Sequence, residues 1–246
     1  MSLSGRLCVC MLRKMSLKLY YDLMSQPSRA LYILLKKSNC KFEQKLVDLR
    51  QGEHYGEEFT KVNRLQRVPV IDHNGFILTE SVAILRYLRD ENLIPESFYP
   101  RDRKLQARVD EFLNWQHVGL RLHCALFFRV QVILQEYIDP MMTGQPVSVG
   151  KVKAMQERME SALQDLDTKW LGRGTNFIVG DQPTVADLLA CCEVEQPRMC
   201  GYEPSAKYPN IVVWSKKVRD YFNPFYDEAH VILNKIVKKR HAEAKL

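Results

Sequence analysis

Two short β-prone runs flank a single helical pattern near the start of the chain, and this order constrains the fold more than any other feature of the sequence. Leu17 to Tyr21 reads as a strand, Gln26 to Ser38 carries apolar residues at 30, 31, 34 and 35 with helical spacing, and Phe42 to Val47 reads as a second strand. Strands joined through a helix in one sheet lie parallel, with a right-handed crossover. After a polar stretch from Gly52 to Asn63, the runs Val68 to Asp72 and Phe76 to Leu78 flank His73-Asn74-Gly75. Asn-Gly accepts the positive φ angles of a tight turn, so these two runs are expected to pair as an antiparallel hairpin. Glu80 to Asn92 returns to helical spacing, with apolar residues at 82, 84, 85 and 88. The order is therefore βαβ, then ββα: a small α/β domain with four strands and two main helices.

The pattern changes at Asn92. Turn-forming residues at Ile94-Pro95-Glu96-Ser97 and Tyr99-Pro100-Arg101-Asp102 lead into Arg103 to Glu136, a long helical run without proline. Pro140 to Val149 interrupts it; Val152 to Trp170, Thr184 to Glu195 and Ile211 to Tyr221 each read as helix, and no strong strand follows residue 100. The expected division is an extension at 1–15, an α/β domain at 16–94, a linker at 95–102, an all-helical domain at 103–234 and a basic tail at 235–246. Thr184-Val185-Ala186-Asp187 is a helix start in which Thr184 caps and Asp187 takes the place usually held by Glu, a folding signal.

Composition excludes several classes. The 246 residues, 46% hydrophobic and 26% charged, suit a globular protein, and no apolar run approaches the ~18 residues of a membrane span. The net charge is +7, but Arg6, Arg13 and Lys14 supply +3 of it, and five cations against Glu243 after residue 234 supply +4. The body at 16–234 is neutral, whereas a nucleic-acid binder carries its basic stripe on the folded domain. Neither nucleic acid nor membrane is expected as a partner, and the C-terminal charge reads as a solvated tail. The seven cysteines form no CxxC pair and no metal-ligand spacing, so no metal is expected and most should be small buried hydrophobes in a reducing compartment. The acid-free 1–15 segment resembles a short presequence less than an alternative start, since Met15-Ser16 directly precedes the first strand.

Two helix starts carry polar groups with possible chemistry. Ser25, ahead of Gln26-Pro27, is by default an N-cap with proline in the first turn. The same position lets a hydroxyl donate to a thiolate that the helix dipole also favours. Glu80-Ser81 is either a plain polar helix start or a place where free N–H groups and the Ser81 hydroxyl converge on an anion. No Gly-x-Ser-x-Gly elbow supports a serine hydrolase.

Tyr20-Tyr21-Asp22-Leu23-Met24-Ser25-Gln26-Pro27-Ser28-Arg29-Ala30 resembles the first strand-to-helix turn of theta-class glutathione transferases. So do Val68-Pro69, Leu78-Thr79-Glu80-Ser81-Val82-Ala83-Ile84, and Arg108 to His117. The resemblance, to an insect-like cytosolic member, covers about 17 to 233 in the family's order. It implies the glutathione transferase fold: a thioredoxin-like domain, then a helical bundle. It implies that Ser25 activates the sulfur of glutathione, a cosubstrate, and that no covalent enzyme intermediate forms. Glu80 would take the γ-glutamyl ammonium and Ser81 its carboxylate, Val68 would pair with the cysteinyl backbone beside a cis-Pro69, and His54 would meet the glycyl carboxylate. Arg121 would face the active site, with a surface salt bridge as its other reading. Position 25 is not Cys, which speaks against glutaredoxin-like exchange. The implied reaction is attack of the thiolate on a small hydrophobic electrophile such as an alkyl halide, epoxide or activated alkene, with hydroperoxide reduction as a side activity, in a cytoplasmic homodimer. A non-catalytic ligand-binding or assembly protein of the same fold is the alternative, against which Ser25, Glu80 and Ser81 argue. Phe127, Phe128 and Met142 are candidates for the electrophile wall, although such a stripe is more often core. The basic tail is expected to matter little for chemistry.

Overall fold

The computed structural model describes residues 16–131, 148–204 and 207–243. The 1–15 extension, Met142 and the break at 140–147 lie outside them. The first half contains β1 (Leu17–Tyr21), α1 (Gln26–Lys37), β2 (Glu43–Leu46), α2 (Glu57–Val62), β3 (Val70–His73), β4 (Phe76–Thr79) and α3 (Ser81–Asp90). The sheet runs β2-β1-β3-β4. β1 pairs parallel with β2, Lys18 opposite Glu43, and antiparallel with β3, Leu19 opposite Ile71. At the β3–β4 turn Asn74 and Gly75 both take positive φ, 56° and 93°, and Asp72 accepts the Gly75 N–H. That is the geometry by which Asn-Gly matches the twist of a hairpin.

The second half holds α4 (Arg103–Gln116), α5 (Leu122–Phe128), α6 (Val149–Asp165), α7 (Val185–Glu195), α8 (Pro209–Phe222), α9 (Phe225–Ala229) and α10 (Val231–Glu243). Asp102 caps α4 by accepting the N–H groups of Lys104 and Leu105, and Ser148 caps α6. The long run that begins at Arg103 is not one uniform helix: a π-helical turn at His117–Arg121 separates α4 from α5. Gly119 belongs there sterically, since a Cβ would stand 3.3 Å from the Trp115 indole. α7 has the capping box expected at Thr184 and Asp187, and more. Buried Asp187 also accepts from the Ile178 N–H and the Trp214 indole N–H, so the cap is the hub of three chain segments.

The sheet and the helices share one core. Leu19 and Ile71 of the sheet, Leu31 and Leu34 of α1, and Leu188 of α7 belong to a single apolar cluster. α1 is therefore buried on every side from Gln26 to Leu35, although its sequence shows only one apolar face. It packs against α3, α7 and α9. Burial all round forces its polar residues to find internal partners.

Two expectations need correction. The polar stretch at 52–63 contains a 3-10 turn, Glu53–Tyr55, and the six-residue α2. Phe59 anchors α2 against Val47 and Val70, with only the partly buried Val62 beside it, and one fully buried residue is too few to produce a period. The C-terminal segment is not a solvated tail from 235: it belongs to α10, whose Leu233 and Val237 are buried with Met199 and packed by Met24, Phe128 and Ile236. Leu233 and Val237 lie four apart and face inward while Lys235, Lys238 and Lys239 stay exposed, so the charge masked a real helix face.

Candidate active site

The turn between β1 and α1 is braced from two sides. From the sheet side, buried Asp22 accepts the N–H groups of Met24, at 2.8 Å, and Leu49, at 2.9 Å, while its carbonyl accepts the Ser25 N–H. From the helical side, fully buried Arg29 donates to the Leu23 carbonyl at 2.9 Å, and Gln196 donates to that of Met24 at 3.3 Å. Arg29 also reaches the Cys192 carbonyl and the Gln196 side chain, at 3.0 and 2.8 Å. Ser25 thus stands at the N-cap of α1 on a fixed backbone, yet its hydroxyl makes no capping hydrogen bond. A helix N-terminus with an uncommitted hydroxyl is suited to an anion, through the free N–H groups and the dipole together.

The second helix start is also unusual. Glu80 precedes α3 at φ 67° without capping it. A positive φ at a residue with a Cβ costs about 1–3 kcal/mol and persists only where the surroundings impose it. The Val68–Pro69 peptide is cis.

A cavity of about 490 Å³ opens between these elements and the helical domain. Val68, Pro69, Glu80 and Ser81 line it from the sheet side, together with Pro27 of α1; Arg121 lines it from the other side. Five of the seven candidate residues are thus assembled from segments as far apart as 68 and 121. Ser25 and His54 do not line it. His54 lies in the Glu53–Tyr55 turn with its ring against Tyr55, centroids 3.9 Å apart. Burial lowers its pKa, and the charge of Asp22 partly offsets this.

Arg121 is neither a free cation nor a surface salt bridge. Its guanidinium donates to Glu193 at 2.6 Å, and that carboxylate is fully buried on α7. Among the residues that sequence reasoning missed are His117, Leu122 and Ala125 on the helical wall and Asn63, Leu65, Arg67 and Thr79 on the other. His117, Arg121 and Ala125 are four apart, a spacing that was available as a signal. The aromatic candidates are elsewhere: Phe127 is core, edge-on to Tyr202, and Phe128 packs beneath α10. Among the described residues no cluster could hold a metal ion, and no helix is long and apolar enough to cross a membrane.

A four-stranded mixed sheet with a cis-proline turn, joined through one core to an all-helical domain, defines a thioredoxin-like protein with a helical extension. Residues 15–90 match the family model for the glutathione S-transferase N-terminal domain and 132–220 that for the C-terminal domain. Glutathione S-transferase theta-1 of Bos taurus is 38% identical over 235 residues, 94% of this chain and 95% of that protein. The solved human theta-class glutathione transferase, in complex with the glutathione conjugate of 1-menaphthyl sulfate, superposes with a TM-score of 0.82 at 37% identity, covering 94% of this chain and 92% of that one. A delta-class enzyme of the insect Nilaparvata lugens superposes at 0.72 with 28% identity, covering 91% and 99%. The chain belongs to the glutathione S-transferase family, and its similarity is to the theta class.

Proposed function

We propose that Ser25 holds glutathione as its thiolate at the start of α1, while the cavity between the sheet domain and the α4–α5 wall brings the electrophile to it. The enzyme is a glutathione transferase, with glutathione as cosubstrate and conjugation to electrophiles as its reaction. The observation that carries the assignment to Ser25 is its N-cap position without a capping bond. A hydrogen bond to a charged acceptor is worth about 1.5–3 kcal/mol, enough to lower a thiol from about 8.5 by one to two pKa units and raise the thiolate at neutral pH from a few per cent to between about a quarter and three-quarters. Catalysis then consists of thiolate stabilisation and of holding two reactants at contact distance.

The other roles follow the lining. The free N–H groups and hydroxyl at Ser81 suit the γ-glutamyl carboxylate, and exposed Glu80 its ammonium. The Val68 backbone, next to the cis peptide, suits strand-like pairing with the cysteinyl unit. His54, with a buried Nδ1 that lacks a partner, suits the glycyl carboxylate. Arg121 favours anionic charge developing on a leaving group. Glutathione fills the sheet side of the cavity of about 490 Å³, and what remains along the α4–α5 wall suits small alkyl halides, epoxides and activated alkenes; reduction of organic hydroperoxides belongs to the same thiolate chemistry. The working form is a cytoplasmic homodimer.

Ser25→Ala tests the assignment. A plain cap would cost about 1 kcal/mol of stability and leave the chemistry intact. An activating serine behaves otherwise: the bound thiol's pKa rises by about one to two units and turnover at neutral pH falls roughly 10- to 100-fold, with glutathione affinity little changed and partial recovery at higher pH. Ultraviolet titration of the thiolate beside a pH–rate profile separates the two. An unchanged titration with turnover intact makes Ser25 a cap only.

A further inference from the structure

The last turn of α7 touches both sides of the site without lining it. Glu193 is fully buried, and one carboxylate oxygen accepts from the Arg121 guanidinium at 2.6 Å while the other has no hydrogen-bond partner. The rest of Arg121, about 30% exposed, belongs to the cavity wall. One residue earlier, the Cys192 carbonyl accepts from Arg29, and one turn later Gln196 accepts from Arg29 and donates to the Met24 carbonyl, beside Ser25. Arg29 itself is fully buried and its hydrogen bonds go to carbonyl and amide oxygens, not to a carboxylate. Burial pushes the Glu193 carboxyl up from its ordinary pKa, and the charge and hydrogen bond of Arg121, with the charge of Arg29, pull against that rise. One stretch of chain therefore serves both sides: Glu193 pairs with the cation of the cavity wall, while Cys192 and Gln196 hold Arg29, which braces the Ser25 turn.

We infer that Glu193 is a positioning residue for the transferase reaction: as the buried counter-ion of Arg121 it holds the Arg121 guanidinium in the cavity wall, at a set place relative to Ser25, and tempers its charge. This rests on the reading of Ser25 and Arg121 given above. The physical reason is one of alternatives. An arginine on a half-exposed wall has many rotamers, and a charge-assisted bond to a buried, immobile acceptor selects one of them. Burying a carboxylate with one oxygen unpaired is costly, and packing alone gives no cause to place Glu rather than an apolar residue in the buried last turn of α7, between Cys192 and Val194. Glu193 does not line the cavity and acts on it through Arg121.

A double-mutant cycle on the full-length enzyme tests it. Glu193→Gln keeps the shape and an acceptor but removes the charge; Arg121→Ala removes the group through which Glu193 is held to act. With glutathione and an alkyl halide, Glu193→Gln is expected to lower kcat about 5- to 10-fold with the glutathione KM nearly unchanged. The bound thiol's pKa should fall slightly, because a nearby negative charge is gone. Arg121→Ala should lower kcat at least as far, and the double variant no further, since both changes remove the same arrangement. A purely structural glutamate would lower the melting temperature and leave kcat per folded molecule and the thiol pKa where they were; that result, or losses that multiply in the double variant, overturns the inference. If Glu193→Gln does not fold, Glu193→Asp serves: it retains the charge but withdraws it from Arg121, so kcat should fall while the thiol pKa holds, and an unchanged kcat is the contrary result. Failure of the underlying reading looks different, because then Ser25→Ala and Arg121→Ala both turn over like the unmutated enzyme.

Discussion

Buried polar residues in this protein are concentrated where chain segments distant in sequence meet. Asp187 collects the Thr184 cap, the Ile178 N–H and the Trp214 indole, and Arg29 joins the Ser25 turn to α7. His230 is buried as well, but on a local partner: it stacks on Tyr226 at 4.1 Å, with Nδ1 against the Tyr226 carbonyl at 2.7 Å and Nε2 buried without a partner. Burial, reinforced by the charge of Arg29, pushes its pKa down to about 3. Folded His230 is therefore neutral across the range in which unfolded His230 takes up a proton. Its contribution to stability is whole above pH 6.5 and is lost as pH falls from there towards 3, by about 1.4 kcal/mol for each unit. Urea unfolding measured between pH 7 and pH 5 should show this slope in the unmutated enzyme and a flatter one in His230→Gln. Identical slopes would mean that His230 is already protonated in the fold.

At the scale of elements, the C-terminal helix has the largest functional consequence. α10 rests on Met24, the residue before Ser25, and on Phe128 and Met199. Its removal strips a wall from beside the candidate catalytic hydroxyl and exposes Leu233's partners to water. Deleting 231–246 is expected to lower turnover tenfold or more while glutathione still binds, and steady-state kinetics with tryptophan fluorescence titration of glutathione would check both. Unaltered turnover would reduce α10 to padding. The π-helical turn at His117–Arg121 is the second element of note. A wide turn shifts the phase of the helix that follows, and Arg121 sits at its end, where that phase decides which side of α5 meets the cavity.

For the whole molecule, the exposed edge strand β4 carries Phe76 and Ile77 at 50% and 43% exposure. An edge strand with apolar side chains in water invites a partner, which agrees with the proposed homodimer and its two-fold interface. Light scattering at micromolar concentration is expected to give about twice the 28.8 kDa of the chain. A mass near that of one chain, with activity retained, would rule the dimer out as the working form.

By itself, the sequence determined the local architecture, because local rules carry it. The Asn74-Gly75 turn, the Thr184–Asp187 box, the strand–helix–strand opening and the helical periods of α1, α3, α4, α7 and α8 all depend on neighbours within a few residues. The candidate site was legible to the extent that its residues lie in recognisable segments: Ser25, Val68, Pro69, Glu80 and Ser81 are each at an element boundary. The tertiary structure decided what those positions face. The burial of α1 on all sides, the burial of Val237 in a lysine-rich helix, the pairing of Arg121 with Glu193 across 72 residues and the passage of Arg29 into α7 have no local signature. Each depends on which surface packs against which, and side-chain pairing at that distance is set by the meeting of two finished elements.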